Sequence, residues 1–116
     1  MGTVTIFHNP RCSKSRSSLA ILNEQGLEPE IRLYLENPPS AEELTSILAM
    51  LDMSARDLLR KGESDYKALN LANPDVSETE IIKVMTEYPK LIERPIVIKD
   101  GKAVIGRPPE LILELF

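Results

Sequence analysis

The chain has 116 residues, enough for one domain, and a hydrophobic fraction of 42% that can form a small core. Its net charge of -4 and pI near 5.0 exclude broad nucleic-acid binding, which needs a basic face. Without a stretch apolar enough to span a membrane, or a secretory signal pattern at the N-terminus, the sequence predicts a cytoplasmic protein.

The first third of the chain has the pattern of a parallel βαβ unit. Residues 3–7 are a β-branched and aromatic run that ends at the turn formers Asn9 and Pro10, which predicts a strand. Residues 13–25 follow helical periodicity, with Gly26 as the stop. Residues 31–35 are the next predicted strand, reached by a right-handed crossover.

The middle of the chain is predicted to be helical. Ser40 begins a capping box followed by leucines and isoleucines at helical spacing, and Ser54 and Ser77 begin two further helices. Pro89 ends the last of these. We therefore expect an all-helical insertion at about 38–92.

The last third predicts a β-hairpin and a final helix. Two apolar runs, 96–98 and 103–105, flank Asp100-Gly101, a strong hairpin signal, and Pro108-Pro109 suits the first turn of a helix. The order β-α-β, helices, β-β-α predicts an α/β, thioredoxin-like fold with a mixed four-stranded sheet. Residues 1–116 would form a single domain carrying the helical insertion.

The densest chemical signal surrounds Cys12, the single cysteine, which falls between a strand and a helix N-terminus. Unpartnered N–H groups and the positive end of the helix dipole favour a thiolate there, and the same donors would hold an oxyanion. Arg11, Lys14 and Arg16 add positive charge nearby. A lone cysteine is often a buried apolar residue, but this one lies in a polar, basic turn, which favours a nucleophile.

One cysteine cannot form an internal disulfide and cannot build a metal cluster with the single histidine, His8. We therefore expect no metal and no bound cofactor. Any redox cycle at Cys12 must take its second thiol from another molecule. A dithiol motif would need a cysteine at Ser15, and a phosphatase loop would need an arginine at Ser18, so both are excluded.

Three arginines at predicted element ends are candidate oxyanion ligands, because a guanidinium gives two donors to two oxygens and keeps its charge. Arg94 and Arg107 adjoin prolines at corners that the predicted fold brings toward Cys12, whereas Arg60 lies in the insertion. His8 is either a strand-end histidine or a residue that tunes the thiolate. Two other arginines are interpreted as surface charge: Arg32 and Arg56.

Several segments, in order along nearly the whole chain, resemble the glutaredoxin-coupled arsenate reductases of the ArsC family, within the wider ArsC/Spx group of thioredoxin-like proteins. The matching segments are His8-Asn9-Pro10-x-Cys12-x-x-Ser15-Arg16, Tyr34-Leu35-Glu36-Asn37-Pro38-Pro39, Leu58-Leu59-Arg60, Glu93-Arg94-Pro95-Ile96-Val97 and Gly106-Arg107-Pro108. The chain ends at Phe116, before the further C-terminal stretch of the best-known members.

The resemblance implies that Cys12 attacks arsenate, with His8 modulating its reactivity. It implies a substrate-binding role for the arginines and for Ser15, and a cis peptide bond before Pro95. Glutathione would be the co-substrate and glutaredoxin the protein partner, with no nucleic acid or membrane involved. The substrate-binding set is Arg60, Arg94, Arg107 and Ser15.

Two other functions stay open from the sequence. One is a glutathione-dependent thiol transferase acting on mixed disulfides, with the arginines holding glutathione carboxylates. The other is a non-enzymatic regulator resembling Spx that binds RNA polymerase. Members of that branch commonly carry a Cys-x-x-Cys switch, and Ser15 at the second position disfavours it.

Overall fold

The computed structural model describes residues 3–116. The described chain falls into two compact units, one made of residues 3–37 and 94–116 and the other of Pro38–Glu93. The insertion expected at about 38–92 lies in the second unit. We still predict that the whole chain forms one domain. In the part of the chain that the structure describes, no helix combines the length and apolarity needed to cross a membrane.

A four-stranded mixed sheet forms the centre of the first unit, and it confirms the predicted thioredoxin-like fold class. Its spatial order is β2-β1-β3-β4, with β1 and β2 parallel and the other two pairs antiparallel. The strands are β1 (Val4–Phe7), β2 (Glu30–Arg32), β3 (Ile96–Lys99) and β4 (Lys102–Ile105).

Two helical segments pack together against the sheet of this unit. The predicted first helix, α1, spans Ser13–Glu24, and Gly26 follows it at a φ of 77°. The predicted C-terminal helix is a 3₁₀ helix over Pro109–Leu115. Their apolar faces and the sheet form a core whose fully or nearly buried members are Val4, Ile6, Leu22, Val97 and Ile112.

The hairpin between β3 and β4 is confirmed. Asp100 has a φ of 51° and Gly101 a φ of 77°. A tight hairpin that follows the sheet's twist needs positive φ at both central residues, which an Asp-Gly pair tolerates. The turn sets the register in which Ile96 lies opposite Ile105.

The second strand is shorter than predicted, because the residues after Arg32 turn back on themselves. The backbone N–H groups of Glu36 and Asn37 both donate to the Leu33 carbonyl, at 3.0 and 2.9 Å. Tyr34 is buried and stacks on Phe7, with 6.3 Å between ring centroids. The apolar run at 31–35 therefore supplies a strand end and a packed turn.

The second unit is helical, and the three predicted helix starts are confirmed. The side chains of Ser40, Ser54 and Ser77 each accept a hydrogen bond from the backbone N–H three residues later. A short helix at 64–68 was not predicted. The helices are α2 (Ala41–Leu51), α3 (Ala55–Leu58), α4 (Ser64–Ala68) and α5 (Glu78–Glu87), followed by a 3₁₀ turn at Pro89–Leu91.

Arg56 is not the plain surface charge that the sequence suggested. Its guanidinium donates to three carbonyl oxygens, those of Leu71, Asn73 and Val76, at 2.7, 3.2 and 3.1 Å. These bonds hold the loop that leads into α5. Sequence spacing could not reveal them, since the acceptors are backbone atoms 15 to 20 residues away.

Candidate active site

Cys12 is the N-cap residue of the 12-residue helix α1, with extended backbone angles of φ -95° and ψ 122°. Its own N–H donates to the Asn9 carbonyl, and its carbonyl accepts from the N–H of Arg16, each at 3.0 Å. The loop before it is tied by a bond from the Arg11 N–H to Asn9 Oδ1 at 3.0 Å. These bonds hold the sulfur at the start of the helix.

The cysteine is more buried than its polar sequence surroundings predicted, since only 7% of its surface is exposed. Within the described residues, no side chain accepts a cap hydrogen bond at this helix start. The N–H groups of the first turn also have no partner inside the helix, and they carry its positive partial charge. The position therefore favours an anion, either the thiolate itself or an oxyanion beside it.

Arg107 reaches the sulfur from the far end of the chain. Its Nη2 lies 3.7 Å from Cys12 Sγ, and its Nε donates to the Arg94 carbonyl oxygen at 2.8 Å. The bond from Nε orients the guanidinium plane, and Nη2 faces the sulfur. The fold predicted from the sequence brings Arg94 and Arg107 toward Cys12. In the structure, Arg107 contacts both of the other residues.

The corners that carry Arg94 and Arg107 are themselves joined. Both peptide bonds that precede the adjoining prolines are cis; the one before Pro95 was implied by the family resemblance, and the one before Pro108 was not anticipated. The Gly106 N–H donates to the Pro95 carbonyl at 3.0 Å. A Cβ at Gly106 would collide with Ser18 Oγ and lie 2.9 Å from Pro95 Cγ, so this close approach requires glycine.

His8 is held on the inner side of the loop by Ser15. The imidazole Nδ1 lies 2.6 Å from Ser15 Oγ, and the same oxygen accepts from the Asn9 N–H at 3.0 Å. The hydroxyl can either donate its proton to Nδ1 or accept a second bond from an Nδ1–H, so the direction of this bond depends on the histidine tautomer.

Charge at His8 is disfavoured by its surroundings. Desolvation by burial lowers the pKa of His8 below its ordinary value of 6.5, and the positive charge of Arg16 lowers it further. A neutral histidine agrees with the hydrogen-bond pattern at Nδ1. It acts on the loop through hydrogen bonding, and at neutral pH it adds no positive charge next to the sulfur.

Ser15 is fully buried, and its hydroxyl is engaged by His8 and by the Asn9 backbone. These contacts are internal to the loop, so its substrate-binding role stays a prediction. The sequence drew attention to Ser15 only as the residue that replaces a second cysteine. Serine is mostly exposed in proteins, so the sequence did not predict the burial of Ser15.

Arg60 belongs to the second unit, where it is held by acidic side chains. Its Nη1 lies 2.6 Å from Glu63 Oε1, and its Nε lies 3.8 Å from Glu93 Oε1. The Arg60 N–H donates to the Leu91 carbonyl at 2.8 Å, which places this residue beside the end of the unit. The substrate-binding roles expected for Arg60 and for the Arg94 side chain stay predictions.

A cavity of about 230 Å³ lies next to the cysteine loop, within the first unit. One wall is the loop itself and the other is the turn that follows β2. The sequence reasoning assigned no role to that turn, although it lies in one of the segments that resemble the family. The lining residues are His8, Asn9, Pro10, Arg11, Leu33, Leu35 and Glu36.

The described residues contain no group of three or more His, Cys, Asp or Glu side chains placed to hold a metal ion. The groups that the site presents are the Cys12 thiol, the Arg107 guanidinium and the N–H groups at the start of α1. Such a set can bind a tetrahedral oxyanion and present a sulfur nucleophile to its central atom.

Comparison with known proteins places this geometry in a family. The model of the ArsC family matches residues 7–115. An arsenate reductase of Haemophilus influenzae is 49% identical over 97% of this chain and 98% of its own length, and Escherichia coli "Uncharacterized protein YfgD" is 56% identical over 97% and 95%. The solved structure of an arsenate reductase from Vibrio cholerae superposes with a TM-score of 0.97 at 46% identity, covering 99% of this chain and 98% of that one.

Proposed function

Because the chain belongs to the ArsC family, we propose that it reduces arsenate to arsenite, with Cys12 as the nucleophile and glutathione as the source of electrons. The observation that carries the proposal is the 3.7 Å approach of Arg107 Nη2 to Cys12 Sγ at the start of helix α1. The names of the similar arsenate reductases support the same reaction.

In the first step the Cys12 thiol attacks arsenic. A sulfur–arsenic bond forms, an arsenic–hydroxyl bond breaks, and the thiol proton leaves with that hydroxyl as water. Arg107 would stabilise the sulfur before the attack and the arsenate oxygens during it; its contact with Cys12 Sγ and its fixed fork of donors support this role. The N–H groups of the first turn of α1 support the same charge.

In the second step a thiol from another molecule attacks the sulfur of Cys12. A sulfur–sulfur bond forms and the sulfur–arsenic bond breaks, so two electrons pass from the two sulfurs to arsenic. The proton of the attacking thiol passes to an arsenite oxygen, and arsenite leaves. The chain has one cysteine, so this thiol comes from outside it. Glutathione fits this role and leaves Cys12 as a mixed disulfide, which glutaredoxin then clears by thiol exchange. We place the reaction in the cytoplasm, where glutathione is kept reduced.

Phosphate resembles arsenate in size and charge, and the site offers no group that would tell them apart. Discrimination would come from the chemistry, because arsenic(V) accepts two electrons from thiols and phosphorus(V) does not. Phosphate is therefore expected to act as a competitive inhibitor.

The test measures arsenite formed from arsenate with glutathione and glutaredoxin, for the wild type and for Cys12→Ser. The wild type should turn over and the variant should give only the background rate. Equal rates would reject the proposal. Turnover of a glutathionylated disulfide without any arsenate reduction would instead favour the thiol transferase, and capture by the polymerase α subunit without either activity would favour the regulator.

A further inference from the structure

The cavity beside the cysteine loop has the chemistry of a site for a small zwitterionic thiol. Two charged residues line it, Arg11 on the loop and Glu36 on the turn after β2. Both side chains are exposed, and within residues 3–116 neither forms an ion pair or a side-chain hydrogen bond. A ligand with one negative and one positive group could therefore form an ion pair with each of these two side chains.

The surface between these charges is apolar. Leu33 and Leu35 line the cavity with 36% of their surface exposed, and Pro10 lines it from the loop side. Leu33, Leu35 and their neighbour Ile31 are three of the seven large hydrophobic residues that are exposed in the described chain. Such a concentration of exposed apolar surface beside a candidate active site is typical of a binding surface.

The cavity is also close to the sulfur along the chain. Arg11 lines it and Cys12 is the next residue, so their Cα atoms are about 3.8 Å apart. A tripeptide spans at most about 10 Å when extended. The cavity therefore lies beside the residue that precedes the cysteine, at a distance from Cys12 that a tripeptide can span.

We propose that this cavity binds the electron-donating thiol, and that the thiol is a tripeptide with charged ends, as in glutathione. Arg11 pairs with a carboxylate, Glu36 pairs with the ammonium group, and the apolar wall contacts the methylene groups between them. This inference rests on the proposed function, because it gives a site to the thiol that the second step requires.

The experiment compares Arg11→Gln and Glu36→Gln with the wild type, using glutathione and, separately, the uncharged thiol dithiothreitol as reductant. Each variant should raise the KM for glutathione about fivefold, as expected for loss of one partly exposed ionic contact. The KM for dithiothreitol should change less than about twofold, since that thiol has no charged ends to pair with either residue. Lys102→Gln and Glu28→Gln are the matched controls, because both residues are exposed charges of the same unit that do not line the cavity.

A binding measurement that needs no arsenate separates this inference from the proposed function. S-methylglutathione has the same charged ends and cannot react, and it should shift the backbone amide NMR signals of His8, Asn9, Arg11 and residues 33–36. Weaker binding in the two cavity variants would support the site even if the wild type formed no arsenite. Shifts confined to other residues, or equal KM values for glutathione in all five proteins, would overturn it.

Discussion

Arg107 lies against Cys12 although 95 residues separate them in the chain. The contact is made by Nη2, while Nε is held by the Arg94 carbonyl at 2.8 Å. One side chain therefore joins the β4 end of the sheet to the start of helix α1. The sulfur receives one positively charged donor from outside its own loop.

Replacing Arg107 with Gln should slow the alkylation of Cys12 by iodoacetamide at neutral pH. The thiolate is the reactive form, and the variant loses the positive charge that faces it. We expect a decrease of roughly fivefold, equivalent to about 1 kcal/mol for a partly exposed contact. Lys102→Gln removes an exposed charge elsewhere and should react like the wild type; equal rates in all three proteins would contradict the role of Arg107.

Replacing Ser15 with Ala should destabilise the protein. The change leaves the Asn9 N–H and His8 Nδ1 without their shared partner in a buried place. We expect the free energy of unfolding to fall by about 1–3 kcal/mol. Urea denaturation measures it, and Ser17→Ala is the control because Ser17 is exposed on the same helix. An unchanged stability with a higher KM for arsenate would instead support the substrate-binding role predicted from the sequence.

Stability should decrease on mild acidification because of His8. Burial and Arg16 lower the pKa of His8 in the folded protein below 6.5, so in acid the unfolded chain takes up a proton that the folded protein does not bind. The free energy of unfolding is therefore independent of this group above about pH 7.5 and falls as the pH drops through 6.5. It levels off below the folded-state pKa.

The chain has one histidine, so His8→Gln isolates this contribution. Between about pH 7.5 and 5, the urea midpoint of the wild type should fall more steeply with decreasing pH than that of the variant. The imidazole C–H proton signal should also titrate below 6.5 in the folded wild type. A titration at or above that value would show that His8 is stabilised in its charged form.

Replacing Arg56 with Ala should loosen the loop that its guanidinium holds. Three carbonyl oxygens, those of Leu71, Asn73 and Val76, lose a charged donor. A loss of about 2–3 kcal/mol is expected, in the range for hydrogen bonds to charged groups. Amide hydrogen exchange should be faster at 70–77, whereas Lys67→Ala, at an exposed position of the same unit, should leave it unchanged.

Local sequence signals predicted most of the fold. Serine caps, the stop at Gly26 and the Asp100-Gly101 turn each depend on a few neighbouring residues, and each is present in the structure. The predicted strand at 31–35 was wrong after Arg32, because the chain turns there with the Glu36 and Asn37 N–H groups bonded to the Leu33 carbonyl, which periodicity does not reveal. The C-terminal helix has 3₁₀ geometry, which helical spacing alone does not distinguish from an α-helix.

The candidate site was predictable in its parts rather than in its arrangement. The position of Cys12 at a helix start follows from the order of elements, and the structure confirms it. The burial of Ser15, the orientation of His8 and the cavity wall at Leu33 and Leu35 all depend on side-chain contacts across the loop. Such contacts join residues whose pairing has no local sequence signal.

The most direct test follows the mass of the intact protein after one round of reaction. The protein is mixed with arsenate and then with glutathione, without glutaredoxin, so that the mixed disulfide is not cleared. The account predicts one glutathionyl group per chain, located at Cys12, formed only when arsenate is present and absent in Cys12→Ser. An adduct that forms equally without arsenate, or arsenite that appears while Cys12 stays unmodified throughout, would contradict it.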